Sequence, residues 1–311
     1  MSIVNKSFVS IDDLNKKEIE TIFQRAKVFK KLNSQKKSFK SACFANTDQE
    51  LNALLFFAEP STRTRISFEI ACNKLGIHPV LFLDIHSSSI AKGESLDETL
   101  STLKCLQPSV VILRYKGSQF KFDDSVPVIN AGFGSYEHPT QALIDAFTIE
   151  EAKGSVKCKK VLILGDVLHS RVSNSNLKLL KRLGAEVAFC SPTSLIPKDP
   201  LWSDVTCFSN LNYSLEWADV IMCLRIQEER HGMSIGLSLA EYRDNYHLGW
   251  DQLRRIKSDC IILHPGPCII GVEMSREAFT DKRSLIKNQV TNGLFIRSAV
   301  LSLILDFKWL A

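Results

Sequence analysis

Residues 159–190 read KKVLILGDVLHSRVSNSNLKLLKRLGAEVAFC. The stretch opens on an unbroken apolar run, Val161–Leu164, closed by Gly165. A run this short, apolar at every position, fits a strand covered on both faces. Helical spacing follows over Asn174–Leu183, and Gly184 stops it. Glu186–Cys190 is then a second strand. Strand, helix and strand in so short a space make a βαβ unit, and such a unit needs parallel strands.

Working outward, the alternation repeats. Before this unit the strands are Leu54–Phe57, Val80–Leu83, Val110–Arg114 and Val126–Asn130. The helices between and around them are Lys16–Leu32, Ser61–Leu75, Glu94–Cys105 and Pro139–Glu151. The first helix has Asn15 as its cap and Glu18 three residues on. After the unit come strands within Trp217–Leu224 and at Ile261–His264, then a closing helix over Asn288–Leu303. The fold class is α/β: two similar domains, each a mainly parallel sheet covered by helices. The polar junction after the Pro139–Glu151 helix places the boundary near residues 143–155. The assigned spans are 1–143 and 144–293, with a C-terminal helix, 294–311, completing the first domain.

Composition bounds the function. With 311 residues, 45% hydrophobic and 23% charged, the chain has enough apolar material for two cores. A formal charge of +5 is no nucleic-acid signature, and the lysine run Lys27–Lys40 holds no arginine, so it reads as a solvated helix end and loop. The nine cysteines contain no close C-x-x-C pair, which fits small buried hydrophobes in a reducing compartment. No N-terminal apolar h-region and no membrane-length apolar run is present, since Asp306 cuts the best candidate. A cytoplasmic protein without membrane or nucleic-acid partners is expected. Histidines and cysteines fall in no zinc spacing, so neither a catalytic metal nor a cofactor is expected.

Four places carry chemistry. Glu59-Pro60-Ser61-Thr62-Arg63-Thr64-Arg65 joins a strand end to a helix start. There hydroxyls, guanidinium forks and helix N–H groups make an anion cradle. The alternative is a capped surface helix with two solvated arginines. Ser88 and Lys92 lie in a polar loop that by itself reads as solvated. His138-Pro139-Thr140-Gln141 opens a helix with an imidazole and an amide on one face. Arg114, Arg171 and Arg225 follow strand ends, Gln227 follows Arg225, and His264-Pro265-Gly266-Pro267 ends the last central strand. Ligands of open α/β sheets bind beyond such strand ends, so the repetition points to a polyanionic ligand between two domains. The P-loop string and the dinucleotide glycine fingerprint are both missing, which argues against a nucleotide-dependent reductase.

The strings FAEPSTRTRISFE, SSSIAKGESLDET, HPTQALIDAFTI, GDVLHSRVSNSN, LRIQEER and HPGP together resemble the catalytic chains of aspartate carbamoyltransferases, within the aspartate/ornithine carbamoyltransferase family. The resemblance implies that Ser61, Thr62, Arg63 and Thr64 hold the phosphate of carbamoyl phosphate. It implies that Arg114, His138 and Thr64 polarise the carbamoyl carbonyl, and that Gln141 and the Gly266-Pro267 region hold its NH₂. Arg171, Arg225 and Gln227 would hold the carboxylates of L-aspartate. Ser88 and Lys92 would reach a neighbouring subunit's site in a homotrimer. A separate regulatory chain or partner enzyme is left open, as are another amino-acid acceptor and a weakly active scaffold subunit. The chain departs from the family's pattern at Cys268-Ile269-Ile270, where methionine, asparagine and arginine are usual, and at Tyr115, where histidine is common. Loss of the polar pair is expected to alter domain closure or the aspartate side.

Overall fold

A computed structural model describes residues 3–83, 88–115, 117, 125–134, 136–226 and 238–310. The chain divides into two compact units, residues 1–143 with 290–311, and residues 144–289.

In the first unit, α1 (Lys16–Ser34) starts on the capping box that Asn15 and Glu18 announce: the Glu18 N–H donates to Asn15 Oδ1 at 3.0 Å, and the Asn15 N–H to Glu18 Oε2 at 2.9 Å. Next come β1 (Cys43–Phe44), β2 (Asn52–Phe57), α2 (Thr62–Leu75), β3 (His78–Phe82), α3 (Leu96–Lys104), β4 (Val110–Arg114), β5 (Val128–Asn130) and α4 (Pro139–Lys153), which runs on into the second unit. The sheet order is β3-β2-β4-β5, parallel throughout. Its inner strands are buried along their length, as their unbroken apolar runs require. Edge strand β3 differs: Val80 and Leu81 are exposed.

The second unit is built from β6 (Lys160–Leu164), α5 (Arg171–Arg182), β7 (Glu186–Cys190), β8 (Thr206–Phe208), α6 (Leu211–Trp217), β9 (Val220–Cys223), α7 (Leu239–Tyr246), α8 (Trp250–Leu253), β10 (Ile261–Leu263) and α9 (Arg276–Thr280). Its parallel sheet has the order β10-β9-β6-β7-β8. The βαβ unit of the opening stretch is β6-α5-β7 at the centre. Residues Val161–Leu164 are at most 1% exposed, and Leu162 and Leu164 share one core with Ile221, Cys223 and Ile262. Burying each such side chain is worth about 1.5–3 kcal/mol.

The closing helix α10 (Ile286–Ile304) lies mostly in the first unit, followed by β11 (Lys308–Trp309), which pairs antiparallel with β1. Arg297 fixes α10 to α2: its Nη1 donates to Ser67 Oγ at 2.6 Å, and its guanidinium lies 5.1 Å from the Phe68 ring centroid. Short elements such as β8, α8 and α9 carry too little periodicity to be read from sequence.

Candidate active site

In the first unit, neighbouring strands β2 and β4 lie where the chain order reverses: β3 continues on one side and β5 on the other. At such a switch point the loops leave the strand ends in opposite directions and open a crevice. The Glu59–Arg65 segment and Arg114 sit at those two ends. The Ala58 N–H donates to the Arg114 carbonyl at 2.9 Å, and Arg114 Nη2 stands 3.6 Å from Glu59 Oε1. Arg114 Nη1 also donates to the Ala131 carbonyl at 3.2 Å, past the end of β5. One guanidinium thus ties the ends of three parallel strands.

Helix α2 begins at Thr62, and the Ser61 side chain makes no capping hydrogen bond. The N–H groups of the first turn therefore donate no bond to that hydroxyl. Thr64 is buried, whereas Thr62 and Arg63 are exposed. Arg65 pairs with Glu69 at 3.1 Å, one turn on, so it behaves as a surface helix arginine. Among the described residues Arg63 has no carboxylate partner. Nearby protein atoms desolvate its guanidinium and lower its pKa below the usual arginine value; it stays cationic.

The turn after β5 is organised by Asn130. Its Oδ1 accepts from the N–H groups of Gly132 and Phe133 at 2.7 and 2.6 Å, and its Nδ2 donates to the carbonyls of Val9 and Glu137. Glu137 in turn accepts from Ser10 Oγ at 2.6 Å and from the Ile11 N–H at 2.9 Å. This buried polar turn carries His138 and Gln141, 5% and 8% exposed, into the start of α4. Sequence reasoning passed over Asn130 and Glu137, because the N-terminal residues they hold, Val9, Ser10 and Ile11, lie more than a hundred residues away. Ser88 is half-buried, and Lys92 is exposed at the end of a short 3₁₀ turn, Ser89–Lys92.

The second unit repeats the device. Its order reverses between β6 and β9. Gly165 closes β6 at φ +116°, and a Cβ there would stand 2.8 Å from the Tyr242 hydroxyl and 2.9 Å from the Leu224 carbonyl. Only glycine admits that approach. The turn continues through Asp166, whose Oδ1 accepts from the His169 N–H at 3.1 Å and lies 2.9 Å from His169 Nδ1. It delivers Arg171, 5% exposed, as the first residue of α5. Arg225 lies two residues past β9, half-buried. Gln227 lies outside the described residues.

Gly266 and Pro267 follow β10 and are joined by a cis peptide. Glu273, 1% exposed, organises this region: its Oε1 accepts from the Ile226 N–H at 3.2 Å and its Oε2 from the Ile269 N–H at 2.7 Å. Burial pushes its carboxyl up to about 7, against the pull of those two donors. The unusual Cys268-Ile269-Ile270 segment is therefore tied by a carboxylate and by a backbone turn, with the Gly271 N–H donating to the Met274 carbonyl at 2.8 Å. Ile269 and Ile270 stay 42% and 38% exposed, so the two replacements add no core.

Residues 6–151 match the model of the aspartate/ornithine carbamoyltransferase carbamoyl-P binding domain, and residues 157–304 match that of the family's Asp/Orn binding domain. The chain belongs to the aspartate/ornithine carbamoyltransferase family. Within that family it is 41% identical over 309 residues to the aspartate carbamoyltransferase catalytic subunit of Desulfitobacterium hafniense, with 96% of each chain covered. Among solved carbamoyltransferases, the aspartate transcarbamoylase of Trypanosoma cruzi in complex with N-(phosphonacetyl)-L-aspartic acid superposes with a TM-score of 0.83. It is 28% identical, with 97% of this chain and 96% of that chain covered. The ornithine carbamoyltransferase of Pyrococcus furiosus reaches 0.82 at 25% identity, covering 98% and 99%. Likeness of fold is thus nearly the same to a carbamoyltransferase of either name.

Proposed function

We propose that this chain transfers the carbamoyl group of carbamoyl phosphate to the α-amino group of L-aspartate, releasing N-carbamoyl-L-aspartate and phosphate in de novo pyrimidine biosynthesis. The observation that carries the reading is the pair of switch points, each furnished with cations suited to one substrate. An acyl phosphate suits the hydroxyl- and arginine-bearing N-terminus of α2. A dicarboxylate suits Arg171 and Arg225 in the second unit, whereas ornithine's side-chain ammonium would require an anion there. The name and 41% identity of the Desulfitobacterium relative support the same acceptor.

In this mechanism Ser61, Thr62, Arg63 and Thr64 hold the phosphate. Arg63 also neutralises the bridging oxygen as it becomes a leaving group. Arg114, His138 and Thr64 donate toward the carbamoyl oxygen, where negative charge grows as the neutral amine attacks. Gln141 and the Gly266-Pro267 segment orient the carbamoyl NH₂, while Arg171, Arg225 and Gln227 hold the aspartate carboxylates. The tetrahedral intermediate collapses, the C–O bond to phosphate breaks, and the departing phosphate takes the amine proton. No covalent enzyme intermediate is needed. Catalysis comes from positioning and from prearranged donors, each worth roughly 3–4 kcal/mol of barrier.

We further assign a homotrimer with shared sites in the cytoplasm. Ile66 and Ile70 on α2, with Val80, Leu81 and Leu83 at the edge of the first sheet, give this unit an exposed apolar face that suits a second subunit. Among the described residues no helix is long and apolar enough to cross a membrane. The deciding assay follows phosphate release from carbamoyl phosphate with L-aspartate or L-ornithine, using N-(phosphonacetyl)-L-aspartate as inhibitor. Turnover with ornithine alone would overturn the acceptor. Lys92→Ala and Arg63→Ala chains, inactive alone, should regain activity when mixed; absence of recovery from exchanged hybrids would refute shared sites.

A further inference from the structure

We propose that His264, Cys268 and Glu273 form a binding site in the second unit for a divalent cation of the zinc class. One ring nitrogen, the thiol sulfur and one carboxylate oxygen lie within 4.8 Å of one another. His264 and Glu273 are 2% and 1% exposed, and Cys268 is half-buried. Thiolate, imidazole and carboxylate together form a donor set for a borderline-soft cation; magnesium and calcium take oxygens alone. In a tetrahedral zinc site, bonds of about 2.0–2.3 Å place ligand atoms roughly 3.3–3.6 Å apart. Binding therefore requires the three ligand atoms to draw in from their present separations. Three protein ligands leave the fourth position to water.

The surroundings already orient one ligand and fix the tautomer of another. Glu273 is held by the N–H groups of Ile226 and Ile269, one on each oxygen, and it also accepts from the Cys268 thiol, whose proton leaves on binding. His264 Nδ1 accepts from the Gly266 N–H at 2.8 Å, so its ring is neutral, the form that binds metals. Ligation through Nδ1 forfeits that bond; ligation through Nε2 moves the ring proton to Nδ1 and forfeits it equally. On binding, the Cys268 thiol gives its proton to solvent and a metal–sulfur bond forms, with no change of oxidation state. The spacing His264-x₃-Cys268-x₄-Glu273 is no familiar zinc pattern in sequence, and the ligands meet because Glu273 folds back beneath the segment that follows β10.

The test is a Co(II) titration of the reduced, chelator-stripped full chain in a C105S/C158S/C207S background, which removes the exposed cysteines. The expected result is one tightly bound Co(II) per chain, with a thiolate-to-cobalt charge-transfer band, intense tetrahedral visible bands, and displacement of cobalt by Zn(II). C268S should abolish the charge-transfer band at unchanged circular dichroism, and E273Q or H264N should weaken binding by about tenfold or more. Absence of the charge-transfer band in the background protein, or its persistence in C268S, overturns the site. These readouts do not depend on the acceptor substrate.

Discussion

Gln289 Nε2 donates to Asp145 Oδ1 at 2.8 Å, joining the beginning of α10 to the middle of α4 inside the second unit. The other carboxylate oxygen accepts from Asn176 Nδ2 at 2.9 Å, and Gln289 Oε1 accepts from the His264 N–H at 2.9 Å. Asp145 is fully buried, and Gln289 and Asn176 are nearly so. A carboxylate so placed is tolerable only because donors surround it. Asp145→Ala strands two amide donors and should destabilise the unit by about 2–4 kcal/mol, read as a lower urea midpoint. Asp145→Asn, which retains one acceptor, should cost less; equal losses would count against the network.

Arg63 and Arg65 are two residues apart and should behave oppositely. Arg63→Ala should lower kcat by about 10²–10³ while the thermal midpoint holds. Arg65→Ala removes only the exposed-face pair with Glu69, worth about 0.3–0.5 kcal/mol, and should leave turnover within a small factor. Steady-state kinetics on both variants checks the assignment, and comparable losses would remove its basis.

Gly165→Ala places a methyl against the Tyr242 hydroxyl and the Leu224 carbonyl, at a φ that side chains rarely adopt. The variant should lose about 2 kcal/mol or more of stability and raise KM for aspartate more than for carbamoyl phosphate. A melting curve with two substrate titrations measures both.

Two carboxylates should act on pH stability with opposite signs. Hydrogen bonding from Arg283 holds Asp281 below its ordinary 3.8. Its contribution is present above that value and disappears as pH falls through the lower folded value. Glu273 is raised from 4.5 to about 7, so its contribution is full below 4.5 and is lost as pH climbs through 7, a change of roughly 3 kcal/mol. Asp281→Asn should therefore flatten the acid limb of a denaturation-midpoint profile, and Glu273→Gln should flatten the decline between about pH 4.5 and 7.

Cysteine labelling should sort by burial. Desolvation pushes the Cys72 and Cys260 thiols up to about 12 and those of Cys43 and Cys190 up to about 11. Iodoacetamide at neutral pH should modify exposed Cys105 and Cys158 first and reach these four only after denaturation. Mass spectrometry of partially labelled protein resolves the order.

The sequence by itself determined the α/β class and the central strands. Val161–Leu164 and Leu54–Phe57 are apolar without alternation, and only a sheet covered on both faces accommodates that. It also determined the helix signals at Asn15, Gly76 and Gly184, because capping and left-handed stops are local. It marked Ser61–Thr64, Arg114, His138, Arg171 and Arg225 as residues next to strand ends. Tertiary structure alone decided the strand orders, and hence which ends adjoin at a switch point. It alone paired Asp145 with Gln289, and it drew Glu273 to Ile226 and Ile269. Such contacts join segments far apart in the chain or choose among several partners within reach. They follow from how the layers pack, and no local pattern encodes that.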